Sequence, residues 1–303
     1  VEFERETHDN GGKMRMEGLR MQNGIGFFHR GAGLVAAWTL VATTAGAQSP
    51  PAPSAAAPGG SAPASGGAAA GDELKALLAQ ADRLYAYRER RGKVDEARAL
   101  LNAAPAALAR TYEVLWRLAR LDCWRASGED HPDLVQSRFG KACAEAAERA
   151  VAADPGRVEG HYYAALGLGA YAVGIGVFKA LREGIEGRIR SHLAAADRAD
   201  RRFFLASVPI LWGRFLFKLP WPKRDLAGSE RHFKEAFTID PGSTIGRVFV
   251  AELRLEQGNP KEAKRLLDEV LATPARAVDP AGDRRSQHLA RALMPKVVEA
   301  LGN

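Results

Sequence analysis

The sequence predicts an all-α protein, a solenoid of stacked helical hairpins with an enlarged middle region. Three observations carry this. Apolar residues recur at helical spacing from about residue 72 onward. One set of helix-face residues reappears 34 positions later. A proline-glycine stop followed by a fresh helical run occurs twice. Composition agrees, with 46% hydrophobic and 26% charged residues and abundant alanine, the strongest helix former.

The first 47 residues stand apart from this fold. Arg30 precedes an uncharged run from Gly31 to Thr44, and Ala45-Gly46-Ala47 follows as an A-x-A site, so cleavage is expected before Gln48. The run is too short to cross a bilayer, which takes about 20 residues. The expected location is periplasmic or secreted after cleavage near Ala47; an uncleaved membrane anchor is the alternative. Residues before Met21 read as an upstream extension or a long n-region. Residues 48–71, "QSPPAPSAAAPGGSAPASGGAAAG", have no charge, no aromatic and no long aliphatic side chain. They cannot bury enough apolar area to offset the entropy of ordering, and they read as a linker. The helical repeat domain is 72–303.

In the first hairpin Leu74, Leu77, Leu78, Ala81, Leu84 and Tyr85 share a helix face, with Asp72 as expected N-cap. Gly92 breaks the chain, and Val94, Ala97, Leu100 and Leu101 form the second face. The register shows further on, where Ser229, Phe233 and Ala236 lie 34 residues before Ala263, Leu267 and Val270. A second self-match aligns "ADPGRVEGHYYAAL" (153–166) with "IDPGSTIGRVFVAEL" (239–253), pairing Gly160 with Gly246, Tyr163 with Phe249 and Ala165 with Ala251. In both, Pro-Gly stops one helix just before the next begins.

A 34-residue helix-turn-helix period is that of the tetratricopeptide repeat (TPR), which this chain resembles from about Asp72 to Leu301. The residues carrying the resemblance in the last copy are Val250 and Ala251 on helix A, Gly258 at the turn, and Ala263 and Leu267 on helix B. In the first copy they are Leu84, Gly92, Ala97, Leu101 and Ala104. In a middle copy Trp116 takes the large aromatic position, and Ala147, Ala150, Asp154 and Pro155 close helix B. Phe233 and Ala236 belong to the same packing set. Arg247 and Arg254 depart from the pattern, standing where the family prefers aromatics.

Two places exceed the repeat length. The first contains Cys123 and Cys143, the only cysteines, on facing positions of one hairpin flanking the loop "RASGEDHPDLVQSRFG". They form either a disulfide that staples an overlong loop, as export permits, or a pair of small buried apolar residues. The second enlargement covers about 158–226. Its run "HYYAALGLGAYAVGIGVF" reads as a buried helix whose glycines let neighbouring backbones approach. A membrane span is disfavoured by its length and glycine content. A dinucleotide loop at Gly167-x-Gly169 is disfavoured because no strand precedes it.

Residues 179–224 hold 11 Lys/Arg against 4 Asp/Glu, interleaved with aromatics. The candidate binding surface is Arg188, Arg190, Arg201, Arg202, Phe203, Trp212, Arg214, Trp221, Lys223 and Arg224, suited to an acidic protein face, an organic anion or lipid head groups. The plainer alternative is a packed aromatic stripe beneath a solvated arginine face. "KLPWPKRDL" reads as a rigid loop. Tyr162, Tyr163, Tyr171, Phe178 and Phe215 are candidates to line a pocket between the 162–178 and 203–217 helices. A capping helix is expected at about 284–301, interrupted at Pro295.

Catalysis, cofactors and nucleic acid find no support. The seven histidines show no metal-ligand spacing, and neither a G-x-S-x-G elbow nor a phosphate-binding loop is present. Carboxylates mostly flank helices as i,i+3 or i,i+4 partners, such as Glu262 with Arg265. The expectation is an exported, non-catalytic scaffold binding a protein partner in the bacterial envelope with its concave face and basic insertion. The glycine-rich middle is also similar to the periplasmic TPR component of TRAP-type transporters, which implies docking of a solute-binding partner. The alternative is a small-ligand or lipid binder. An open cavity favours that alternative, and a filled interior favours the scaffold.

Overall fold

The computed structural model describes residues 65–127 and 133–302; the expected signal segment, most of the linker and residues 128–132 lie outside them. Among the described residues there are thirteen helices and no strand. Helix α1 (Ser65–Ala86) pairs with α2 (Lys93–Asn102), and a single turn, α3 (Ala106–Ala109), leads to the next hairpin of α4 (Tyr112–Ala126) and α5 (Asp133–Ala153). The third hairpin joins α6 (Val158–Ile175) to α8 (Ile185–Asp200), with α7 (Val177–Arg182) interposed. Then come α9 (Phe203–Lys218) with α10 (Leu226–Ile239), and α11 (Thr244–Glu256) with α12 (Pro260–Ala272). The long α13 (Pro280–Gly302) closes the array.

The 34-residue register is physical. Ser229, Phe233 and Ala236 on α10 and Ala263, Leu267 and Val270 on α12 are all buried where each outer helix meets its neighbours. The caps keep the same step: the Asp225 carboxylate accepts from the Gly228 N–H, and the Asn259 side chain accepts from the Glu262 N–H. The Asp-Pro-Gly match holds in geometry too. Asp154 and Asp240 each accept from the N–H two residues on, both at 3.1 Å, folding the same turn before α6 and α11. Tyr163 and Phe249, and Ala165 and Ala251, then occupy equivalent buried seats.

The glycines of α6 serve close approach. A Cβ on Gly167 would stand 2.5 Å from the Ala144 nitrogen, and one on Gly174 would stand 2.5 Å from the Asp133 carbonyl oxygen. Gly140 on α5 leaves matching room for Ala170 and Tyr171. Helices α5 and α6 therefore meet almost backbone to backbone. Among the described residues no helix is long and apolar enough to cross a membrane.

Four expectations change. Helix α1 begins at Ser65, so Asp72 is inside the helix, paired with Lys75 at 3.3 Å, because the alanines before it carry the helix upstream. The loop between the cysteines is short, since α5 already begins at Asp133; the first enlargement is extra helix, and Cys143 sits mid-helix. Helix α13 runs through Pro295, which lies on the exposed side together with Arg291, the residue whose carbonyl loses its helical donor. Conversely, α9 is not one regular helix. Phe204, Leu205 and Ala206 have φ of 24, 52 and 62°, one turn ahead of Pro209, whose ring would clash with the Leu205 carbonyl in a continuous helix.

Cys123 on α4 and Cys143 on α5 are joined as a disulfide with a Cα–Cα distance of 5.2 Å, sealed in the core against the Tyr163 carbonyl. In the loop-entropy account a bridge across 20 residues stabilises by about 3 kcal/mol. The folded protein is therefore expected to show no thiol reactive to an alkylating agent, and two after reduction in denaturant. Replacing both cysteines by serine should lower the unfolding free energy by about 3 kcal/mol in urea titration.

Candidate functional site

In a helical solenoid the inner helices normally line a concave binding surface. Here α1, α4, α6, α9, α11 and the start of α13 turn their side chains inward and fill it. The chain closes on itself: Arg88 at the end of α1 pairs with Asp279, the cap of α13, 191 residues away. Beside it Arg284 pairs with Glu89, with Nε to Oε2 at 2.7 Å. Arg285 donates to the Ser127 hydroxyl at the end of α4.

Between these contacts runs an alternating stack of guanidinium groups and rings. Arg285 lies 3.3 Å over Trp124, and Arg88 sits 4.6 Å from both Trp124 and Tyr85. Arg120 lies 3.9 Å over Tyr85 and 4.8 Å over Trp116, and Arg117 lies 4.2 Å over the same indole. Trp116 in turn stacks on Tyr163 at 6.1 Å and 6°. Arg120 is only 1% exposed. Such desolvated cation–π contacts are worth about 2 kcal/mol or more each. Asp82 supplies the countercharge, accepting from Arg117 Nε at 3.0 Å and Nη2 at 2.9 Å, and from Arg120. Burial would raise its carboxyl, but Arg117 and Arg120 hold it below the ordinary carboxylate range. Arg285, half-buried and desolvated beside Arg88, is pulled below the usual guanidinium range.

Next to Asp279 and Arg285 remains a cavity of about 30 Å³, also lined by Thr244 and Asp283. That is room for a water and not for an organic ligand. The interior is therefore a filled plug. The pocket residues expected from the sequence do not share one cavity. Tyr162 and Tyr163 are sealed in the core, the Tyr171 hydroxyl donates to Glu183 at 3.0 Å, and Phe178 is 70% exposed. Only Phe215 borders a cleft.

The expected basic surface is likewise divided. Arg214 is fully buried, pairing with Glu252 and lying 4.4 Å over Phe249, because α9 turns it into the junction with α11. Trp212 is half-buried and stacks on His232 at 5.5 Å, and Phe203 packs on Tyr162 at 5.4 Å. Arg201 pairs with Glu235 and Asp197, Arg188 with Glu148, and Arg190 with Glu186. Arg202 is exposed at the start of α9. Lys223 pairs with Glu186, and Arg224 with Glu256 at 2.6 Å. Trp221, at 88% exposed, is the one large aromatic of the set that faces solvent.

What the array leaves open is on the outside. A groove of about 360 Å³ lies between α10 and α12 over α11, with an apolar floor of Phe233, Val250 and Leu253 and charged walls including Lys234 and Arg254. A second, of about 560 Å³, lies between α2 and α5 over α4, lined by Leu101, Leu115, Arg110 and Arg149. A smaller apolar cleft opens between α7 and Leu219–Pro220. Among the described residues no group of three or more His, Cys, Asp or Glu side chains is placed to hold a metal ion. The sequence reading missed the outer grooves and the closure. The apolar positions of the grooves were visible only as core.

Hairpins in this register, stacked over a filled inner face, define a TPR-type helical solenoid. A thermophilic TPR protein of Thermus thermophilus is similar in structure, with a TM-score of 0.54, 21% identity, and 73% of this chain and 99% of that one covered. Residues 77–298 match the family described as Regulator of microtubule dynamics protein 1-3, and the chain belongs to that family. Comparison with curated proteins gives no match. The matching family is not the transporter-associated one, so the expected solute-binding partner has no support from it.

Two measurements test this site. Asp279→Asn keeps the helix cap but strands Arg88 as a buried unpaired charge, an expected loss of about 3–5 kcal/mol, with α13 losing hydrogen-exchange protection first. The second concerns Lys218, which burial and Arg214 pull down to about 8 while Glu252 opposes them. Because its folded value lies below the unfolded one, folding releases its proton, and this group's contribution to stability rises between about pH 8 and 10.5. An NMR titration of ¹³C-methylated lysines should show a resonance with its midpoint near 8 that Lys218→Arg abolishes.

Proposed function

We propose that this protein is a non-catalytic scaffold that binds a protein partner on its outer surface. The observation that carries the reading is the filled interior. A stacked-hairpin fold whose inner face is occupied by its own arginines and aromatics offers grooves and exposed side chains outside, while the space beside Asp279 and Arg285 within holds no more than a water. The same observation speaks against the small-ligand alternative, which needs an open cavity between the 162–178 and 203–217 helices.

The proposed setting is outside the cytosol. The A-x-A site after an uncharged run supports export, and a buried disulfide between α4 and α5 suits an oxidising compartment. The family takes its name from regulators of microtubule dynamics. Of that name only regulation by binding, through the grooves over α4 and α11, is carried to this chain; microtubules as the partner do not fit a setting outside the cytosol.

A photo-cross-linking residue placed in turn at Trp221, Lys234 and Arg110 samples the three outer sites. In the cells that make the protein, light should produce an adduct of one defined mass from at least one position. No adduct at any of the three would overturn the scaffold reading.

A further inference from the structure

The two outer grooves lie between outer helices of the same kind but differ in width and charge. Gly92, Ala97 and Leu101 of the first repeat match Gly258, Ala263 and Leu267 of the last. In that register α12 continues to Ala272, nine residues past Ala263, whereas α2 stops at Asn102, five past Ala97. The difference is one helical turn. Pro105 ends α2 by barring helical geometry just before it, and the chain folds aside as the single turn α3. The groove over α4 opens at this gap. Leu101 ends α2 on one side, Ala152 stands at the end of α5 on the other, and Leu115 and Leu118 of α4 lie between. Its volume is about 560 Å³, against about 360 Å³ over α11, where the turn is present.

The walls differ in kind. Around the α11 groove the acids are matched by bases: Glu230 pairs with Arg254, Glu262 with Arg265, and Glu269 with Arg247. No acid lines the α4 groove. Its charged residues are Arg110, which follows α3, and Arg149, in the penultimate turn of α5, and both are exposed. Among the described residues neither forms an ion pair. The buried Asp122 carboxylate, whose charge Arg149 feels, is already bound to Arg98. An apolar floor thus lies between two guanidinium groups whose donors are open to a carboxylate.

We propose that the groove over α4 docks a short acidic segment of the partner protein, in the space of the turn that α2 lacks; this deepens the scaffold reading above and rests on it. A bulky apolar side chain of that segment covers Leu115 and Leu118, and flanking Asp/Glu side chains meet Arg110 and Arg149, whose planar forks suit carboxylates. Complementary charge sets orientation and on-rate, and the covered floor supplies the rest of the affinity. A second copy of the chain is disfavoured as occupant, since its net charge is +7 and copies repel. A lipid surface is disfavoured by shape. The floor is recessed, with Leu101 1% and Leu115 9% exposed, whereas membrane-binding helices present their apolar groups outward.

The test uses the full chain and two synthetic peptides with the same leucines, one bearing glutamates around them and the other lysines. Fluorescence anisotropy should show the glutamate peptide binding and weakening with salt, and the lysine peptide failing to bind. Arg110→Gln/Arg149→Gln should weaken binding by about 10-fold and flatten its salt dependence. Ala152→Trp, which fills the groove and leaves both arginines in place, should weaken it by about as much. All three positions are exposed, so the thermal midpoint should hold, and Lys234→Gln in the other groove should leave the affinity unchanged. Binding of the lysine peptide as tight as that of the glutamate peptide, or undiminished affinity in either groove variant, overturns the proposal. So does binding to phosphatidylglycerol vesicles without binding to the glutamate peptide, which points to a membrane. A photo-cross-linking residue at Asn102, on the groove wall, separates this proposal from the scaffold reading. If neither peptide binds while cross-links form in cells at Lys234 or Trp221, this groove is dismissed and the scaffold reading survives. If the glutamate peptide binds and neither Asn102 nor the three earlier positions cross-link in cells, the docking chemistry stands and the scaffold reading falls.

Discussion

The structure depends on a contact between its two ends. Arg88 and Asp279 are far apart in the chain and buried together, and the aromatic rings of α1 and α4 hold the guanidinium groups around them. A buried ion pair alone is weak support for a fold, since desolvating both charges offsets most of their attraction. Here the cations are also stacked on Tyr85, Trp116 and Trp124, and Asp82 and Asp279 provide the countercharge. The stack puts hydrophobic area and electrostatic attraction at the same place, so the inner face becomes a second core joining helices that the repeat itself does not bring together.

The proposed function rests on that occupancy. An open solenoid reads its partners with the inner helices; this one has used them to hold itself together. The surfaces left over are the grooves between successive outer helices and the short α7 with its neighbouring proline loop. The enlarged middle is thus two things at once. Its glycine-rich α6 packs tightly against α5, and its insertion reaches outward.

Much of the fold was legible in the sequence because repeats write their packing at fixed intervals. The step from Ser229 to Ala263 and the twin Asp-Pro-Gly turns named the hairpins, and Gly167 announced the close crossing. The candidate site was less legible. Arg214 looks like its solvent-facing neighbours in the sequence, and only its seat against Glu252 and Phe249 makes it a core residue. Local periodicity cannot reveal that Arg88 meets Asp279, since nothing within either helix marks the partner. The cysteine loop was overestimated for a related reason: the helical pattern after Asp133 is polar at its start, and extra turns of helix were mistaken for loop.

End-to-end closure also fixes how many hairpins the molecule has. Open arrays gain or lose units with little penalty, because each unit touches only those beside it. In this chain one inserted or deleted unit would rotate α13 away from α1 and α4 and unseat Arg88, Arg284 and Arg285 from their partners. Length can therefore be added only inside elements of a constant count, and the terminal helices should unfold with the whole rather than fray from it.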